Sequence, residues 1–131
     1  MATGRVIAAA VAGDEFTMFG DGRQIRDFTF VGDVARANRL AVESQFVSPG
    51  TAINIAGGSA TSLQAVIDTV GEILERPVAV RVADAAAGDV RETHADTSRA
   101  RRLLDWTPRV DIRAGIADHV AWYCSSSLAF R

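Results

Sequence analysis

Gly20-Asp21-Gly22-Arg23-Gln24-Ile25-Arg26-Asp27-Phe28-Thr29-Phe30-Val31-Gly32-Asp33-Val34 is the stretch on which the reading of this chain turns. Its Gly-Asp-Gly start is a tight turn, because glycine reaches the positive φ angles such turns require. Asp27–Val31 then alternates polar with bulky apolar residues, the pattern of a short strand. Asp33 stands where an N-cap belongs, just before the amphipathic run Val34–Val42. Arg26, at the mouth of this turn-strand-helix unit, carries a planar and permanently charged fork of donors suited to clamping a phosphate.

Outward from that stretch, helix and strand periods alternate. Ala2–Ala12 predicts a helix with Val6, Ile7 and Val11 on one face and Gly13 as its stop. Phe16–Phe19 predicts a strand, Phe28–Val31 the next, and Val34–Ser44 a helix with Val34, Ala37, Ala41 and Val42 turned inward. Ser48-Pro49-Gly50 breaks the chain, Ala52–Ala56 predicts a further strand, and Gly57-Gly58-Ser59 a turn. Thr61 and Gln64 have the spacing of a capping box, ahead of a helical period through Leu63, Val66, Ile67, Val70, Ile73 and Leu74. Pro77 ends that helix, and β-branched Val78–Val82 predicts a strand. Asp96 is placed to cap a short helix, Thr97–Leu104, and Asp111 to cap Ile112–Ser125. With no repeat and no low-complexity linker, residues 1–131 are expected to form one α/β domain of short strands and four to five helices.

Composition narrows the function. A chain of 131 residues with 48% hydrophobic and 23% charged residues can bury a core of its own. Its net charge of −2 speaks against nucleic acid as a partner, since phosphate-backbone binding needs concentrated positive charge. No apolar run approaches the ~20 residues of a membrane span, and Met1–Ala12, interrupted by Arg5, reads as a helix rather than a signal peptide. Lone Cys124 precludes an internal disulfide and fits a reducing cytoplasm. His94 and His119 stand apart from any carboxylate or cysteine at ligand spacing, so no metal site is expected. Ser125-Ser126-Ser127 lacks the glycine flanks of a nucleophile elbow and reads as a fraying helix end. All 14 basic residues apart from histidine are arginine, which excludes lysine Schiff-base chemistry and a P-loop.

The opening stretch resembles the G-D-G-x-Q-x-R-D-F-x-x-V-x-D-V signature of the NAD-dependent sugar-nucleotide epimerase/dehydratase family, the extended short-chain dehydrogenases. Asn54-Ile55-Ala56-Gly57-Gly58 with Ser62-Leu63 resembles that family's N-x-x-x-G-x-x-x-S-L segment. Gly88-Asp89-Val90, Ala95-Asp96-Thr97-Ser98-Arg99-Ala100 and Leu104-Asp105-Trp106-Thr107-Pro108 resemble its G-D-V, A-D-x-S-x-A and L-G-W-x-P closing pieces. The resemblance covers the C-terminal, substrate-binding portion of a family member, without a complete Rossmann domain. It implies that Arg26 contacts the diphosphate of a nucleotide sugar, that Thr17, Met18 and Phe19 meet the base, that Phe28 lies near the phosphates, and that Asp89 accepts from the ribose hydroxyls. Each residue also has a plainer reading. Arg26 could pair with Asp27 or Asp33 on the surface, Phe19 and Phe28 could be core, and Asp89 could bond its own turn.

The departures carry equal weight. The family's catalytic tyrosine and lysine, four residues apart, have no counterpart in a chain with a single tyrosine, Tyr123, and no lysine. Where the family has a second phosphate-gripping arginine this chain has Ala86, and losing one charge-assisted contact costs about 1.5–3 kcal/mol, roughly a factor of ten to a hundred in affinity. Arg91, beyond Asp89, is a candidate replacement. The expectation is therefore a chain that is inactive alone, has no catalytic residue and no cofactor of its own (NAD belongs to the intact family), and at most holds a UDP-, dTDP- or GDP-linked sugar. The alternative is a non-catalytic fragment or accessory module that acts by self-association or through a partner covering the surface of the missing part.

Overall fold

Helix α1 (Ala2–Ala12) turns Thr3, Val6, Ile7 and Ala10 inward at a helical period. Val6, Ile7 and Ala10 join a cluster with Phe16 and Met18 of β1 (Phe16–Phe19), the buried alternate positions of that strand. The computed structural model describes residues 2–58, 60–85 and 88–129. Met1, Ser59 and Ala86, named above, lie outside the described residues.

Beyond β1 come β2 (Ile25–Asp27), α2 (Val31–Glu43), β3 (Ala60–Ser62), α3 (Leu63–Ile73), β4 (Val80–Ala83), α4 (Ser98–Leu104) and α5 (Ile112–Ala129). The strands form two small pairs. β1 lies parallel to β4, with Phe16 opposite Val80 and Phe19 opposite Ala83. β2 lies antiparallel to β3, with Arg26 opposite Thr61. On its other side β2 is met by the segment around Arg91, where the Ile25 N–H donates to the Arg91 carbonyl at 2.9 Å and the Thr93 N–H to the Ile25 carbonyl at 3.3 Å.

Two apolar clusters hold this arrangement. The larger joins α1, β1, α3 and α5 through Val6, Ile7, Phe16, Met18, Val66, Ile67, Val70, Ile116 and Val120. The smaller joins α2 to α4 through Ala37, Ala100, Leu104 and the fully buried Trp106, with Ile53 and Ile55 packed against it. The mixed α/β class with short strands is as expected. So are α1, β1 and the Asp111 cap, whose carboxylate accepts from the Ala114 N–H at 2.8 Å. Asp96 is not the cap expected of it: α4 begins at Ser98 with Thr97 in the N-cap position, and the Asp96 carboxylate accepts from the Ser98 N–H at 2.8 Å one residue ahead of it.

Several local expectations are corrected. The strand expected at Phe28–Val31 lies earlier, at Ile25–Asp27, because only those residues have a partner strand in β3; Val31 already opens α2. Asp33 therefore sits inside the first turn of α2 and caps nothing. Val42 is 88% exposed rather than inward, since the buried face of α2 runs through Asp33 and Ala37. Ala52–Ala56 forms no strand: among the described residues no strand lies alongside, and side chains hold its backbone and neighbours instead, with Arg99 donating to the Ala52 carbonyl and Asn54 to that of Asp96. Thr61 is committed to β3, so Ser62 caps α3 by accepting from the Ala65 N–H at 3.1 Å, while the Gln64 amide reaches Asp68. The strand expected at Val78–Val82 is Val80–Ala83, the residues in register with β1. Helix α5 runs on to Ala129, past the Ser125 end expected for it.

Candidate functional site

The C-terminal ends of the parallel strands β1 and β4 open onto the Gly20–Gly22 turn. Gly20 and Gly22 hold φ angles of 77° and 71°, and a Cβ on Gly22 would stand 2.7 Å from the Met18 sulfur. Only glycine lets this turn close over the buried strand. Asp21 fixes the turn by accepting from the Arg23 N–H at 3.0 Å, and Gln24 ties it back by donating its amide to the Phe19 carbonyl at 3.0 Å. The chain then enters β2, and Arg26 emerges two residues after Gln24.

Arg26 faces Asp89. Its guanidinium donates to the Asp89 carboxylate at 2.5 Å and to the Ile25 carbonyl at 2.8 Å. The two side chains are 31% and 41% exposed, so this is a solvent-facing pair rather than a buried one. Neither Asp27 nor Asp33 is the partner: Asp27 accepts from the Gly58 N–H at 3.0 Å, and Asp33 is turned into the molecule. Two of the residues singled out in the sequence, 63 positions apart, are thus in contact.

The others are distributed around this pair. Phe19 is 45% exposed at the strand end and not a core residue. Thr17 shares its face of β1, and its hydroxyl accepts from Arg81 of β4 at 2.9 Å, while Arg81 also approaches Glu15. Met18 points the other way, into the core, which leaves only its backbone for any ligand. Phe28 lies elsewhere: it packs against the larger cluster and lines a separate groove of about 730 Å³ with Phe30, Ile112, His119 and Trp122.

A second ion pair stands at the turn. Arg91 reaches Asp21 at 3.4 Å, with both side chains more than half exposed. The Arg23 backbone N–H is the main reason the Asp21 carboxyl is held below its ordinary pKa; slight burial opposes this, and the charges of Arg91 and Arg23 add to it. Gln24 and Arg81 were not anticipated from the sequence. Gln24 stands inside the motif, and its role became visible only with the turn closed. Arg81 is brought to Thr17 by a parallel register between strands 64 residues apart, which no local pattern encodes.

A family model described as GDP-mannose 4,6 dehydratase matches residues 2–119. The chain belongs to that family. Among curated relatives, it is 31% identical over 132 residues to UDP-glucose 4-epimerase of Corynebacterium glutamicum, covering 100% of this chain and 39% of the relative. It is 30% identical over 125 residues to an uncharacterized UDP-glucose epimerase of Bacillus subtilis, YtcB, covering 95% of this chain and 39% of that protein. The fold matches MoeE5 in complex with UDP-glucuronic acid and NAD at a TM-score of 0.88 and 36% identity, over 96% of this chain and 42% of that one. It likewise matches UDP-glucuronic acid 4-epimerase of Bacillus cereus, in a Y149F mutant bound to a fluorinated UDP-sugar and NAD, at a TM-score of 0.86 and 30% identity, over 94% and 40% of the two chains. The chain spans about 40% of the length of these relatives, corresponding to their C-terminal portion. Among the described residues no helix is long and apolar enough to cross a membrane.

Proposed function

We propose that this chain is the nucleotide-sugar-holding portion of an epimerase- or dehydratase-type protein, with Arg26 on the diphosphate, Asp89 on the ribose and the Thr17–Phe19 strand end against the base. The observation that carries it is the Arg26–Asp89 contact. The pair holds both side chains beside the glycine turn, and each has the chemistry for one half of a nucleoside diphosphate. A guanidinium grips phosphate oxygens in pairs, and a carboxylate accepts from both hydroxyls of a vicinal diol. Phe19, exposed at the strand end, offers an aromatic face for a base.

Hydride chemistry is assigned to residues outside this sequence. A nicotinamide cofactor is held by a glycine-rich turn running from a strand into a helix, whose N-terminus faces the pyrophosphate. Among the described residues, the glycine turn after β1 leads into β2 instead, and β3 passes directly into α3. Together with the absence of lysine, this does not fit such a cofactor.

Calorimetric titration of UDP-glucose, dTDP-glucose and GDP-mannose tests the holding role. One of them binds at submillimolar concentration, and Arg26→Ala weakens it roughly ten- to a hundredfold. Absence of binding below millimolar for all three overturns the proposal.

A second reading rests on exposed apolar residues: Val42 and Phe46, at 88% and 79% exposure, lie on and just beyond α2. Such a surface supports burial against another polypeptide, including a second copy of this chain. Light scattering across a concentration series then reports a rising mass. A constant monomer mass at high concentration removes this reading.

A further inference from the structure

We infer that Arg91 is the second cation of the diphosphate site, a side chain that exchanges the Asp21 carboxylate for phosphate when ligand binds. The inference rests on the holding role assigned to Arg26 and Asp89. A diphosphate carries more negative charge than one guanidinium can neutralise, and Arg26 is already partly balanced by Asp89. Position 86 offers no charge, being alanine.

Arg91 is brought to the same mouth by backbone pairing. Its carbonyl accepts from the Ile25 N–H at 2.9 Å, which fixes Arg91 alongside the residue before Arg26. Asp89, two residues earlier on the same segment, reaches Arg26 directly. Arg91 in turn reaches toward the Gly20–Gly22 turn, where it meets Asp21. Arg26 therefore meets the 89–91 segment from β2, and Arg91 extends from that segment to the turn.

The two arginines are held very differently. Arg26 is fixed by a 2.5 Å pair and by the Ile25 carbonyl, at 31% exposure. Among the described residues, the Arg91 side chain has one long contact of 3.4 Å, and it is 75% exposed. An exposed pair of that kind contributes little, so leaving it costs little. Asp21 loses no essential partner when Arg91 departs, because the Arg23 N–H still donates to it at 3.0 Å. A phosphate in water-facing surroundings is a better acceptor for a guanidinium than a distant carboxylate, since it accepts two parallel bonds.

The test compares a nucleoside diphosphate with its monophosphate, using whichever of UDP, dTDP and GDP binds the full chain most tightly. Arg91→Ala weakens the diphosphate roughly ten- to a hundredfold and the monophosphate much less, whereas Arg26→Ala weakens both. Arg91→Lys restores part of the loss, as a point charge without the fork. Asp21→Asn, which removes the competing carboxylate, tightens diphosphate binding. Equal thermal melting of wild type and Arg91→Ala excludes misfolding as the cause. If the diphosphate binds, Arg26→Ala weakens it and Arg91→Ala does not, the inference falls and the holding role stands. If no nucleoside diphosphate binds the wild-type chain, both fall.

Discussion

Asp33 is a residue at which a near-isosteric replacement should cost the fold measurably. It is only 3% exposed, and its carboxylate accepts from the backbone N–H groups of Arg109 at 2.9 Å and Val110 at 3.1 Å, and from the Arg36 guanidinium at 2.9 Å. Its own carbonyl accepts from the indole N–H of Trp106, and Arg36 lies over that ring at 5.5 Å. One side chain thus joins the start of α2 to the segment leading into α5. Asp33→Ala leaves two backbone donors and a guanidinium without their acceptor, a loss of about 3–5 kcal/mol. Asp33→Asn keeps one oxygen for the backbone donors but turns an amide N–H toward Arg36, a loss of about 2 kcal/mol. For a chain of this size that lowers the melting temperature by about 6–10 °C. Amide hydrogen exchange at Arg109 and Val110 should quicken in Asp33→Ala and change little in Asp33→Asn.

Acid adds a second readout. Burial pushes the Asp33 carboxyl up, but the Arg109 N–H, the Arg36 guanidinium and the Val110 N–H outweigh it and hold the pKa below its ordinary value. A carboxylate with a depressed folded pKa contributes stability above its unfolded pKa of about 3.9 and loses it as pH falls through the folded value. The gap between wild type and Asp33→Asn should stay constant from pH 7 to about 5 and close below about 4. A melting difference under about 2 °C at pH 7, or a gap that persists unchanged into acid, refutes the reasoning.

Three further substitutions test the frame around the site. At Gly57 a Cβ would stand 1.9 Å from the Phe28 carbonyl oxygen, so Gly57→Ala should force the β2–β3 connection apart and destabilise by about 3 kcal/mol or more in urea unfolding. Ser62→Ala removes the acceptor of the Ala65 N–H and should cost about 1 kcal/mol in the same measurement. Asp105 closes α4 in the left-handed region at φ 47°, where the related motif carries glycine; Asp105→Gly should therefore raise stability by about 0.5–1 kcal/mol. A neutral Gly57→Ala, or an Asp105→Gly that destabilises, would contradict the backbone geometry given above.

Much of the fold was legible because helices report themselves locally. The spacing of Val6 and Ile7, or of Leu63, Val66, Ile67 and Val70, states which face is buried before any partner is known. The same holds for Asp111 as a cap and for the glycines of the turn after β1. Strands were read less well for a physical reason. Ala52–Ala56 has the alternation of a strand, yet a strand exists only where a neighbour supplies hydrogen bonds, and among the described residues no strand lies alongside it. Phe28–Val31 failed in the same way, its alternation serving a groove and a helix start.

For the site, the sequence alone determined the inventory: an arginine after a glycine turn, an aspartate after a second glycine, an aromatic before the turn, and no lysine. Tertiary structure decided their relations. It set Arg26 against Asp89 across 63 residues, sent Phe28 to a different cavity, turned the Met18 side chain into the core, and converted Asp33 from an expected cap into the buried link between α2 and residues 109–110. Those relations depend on strand register and on which buried donors lack an acceptor. Both are properties of segments far apart in the chain, and no spacing within a single segment contains them.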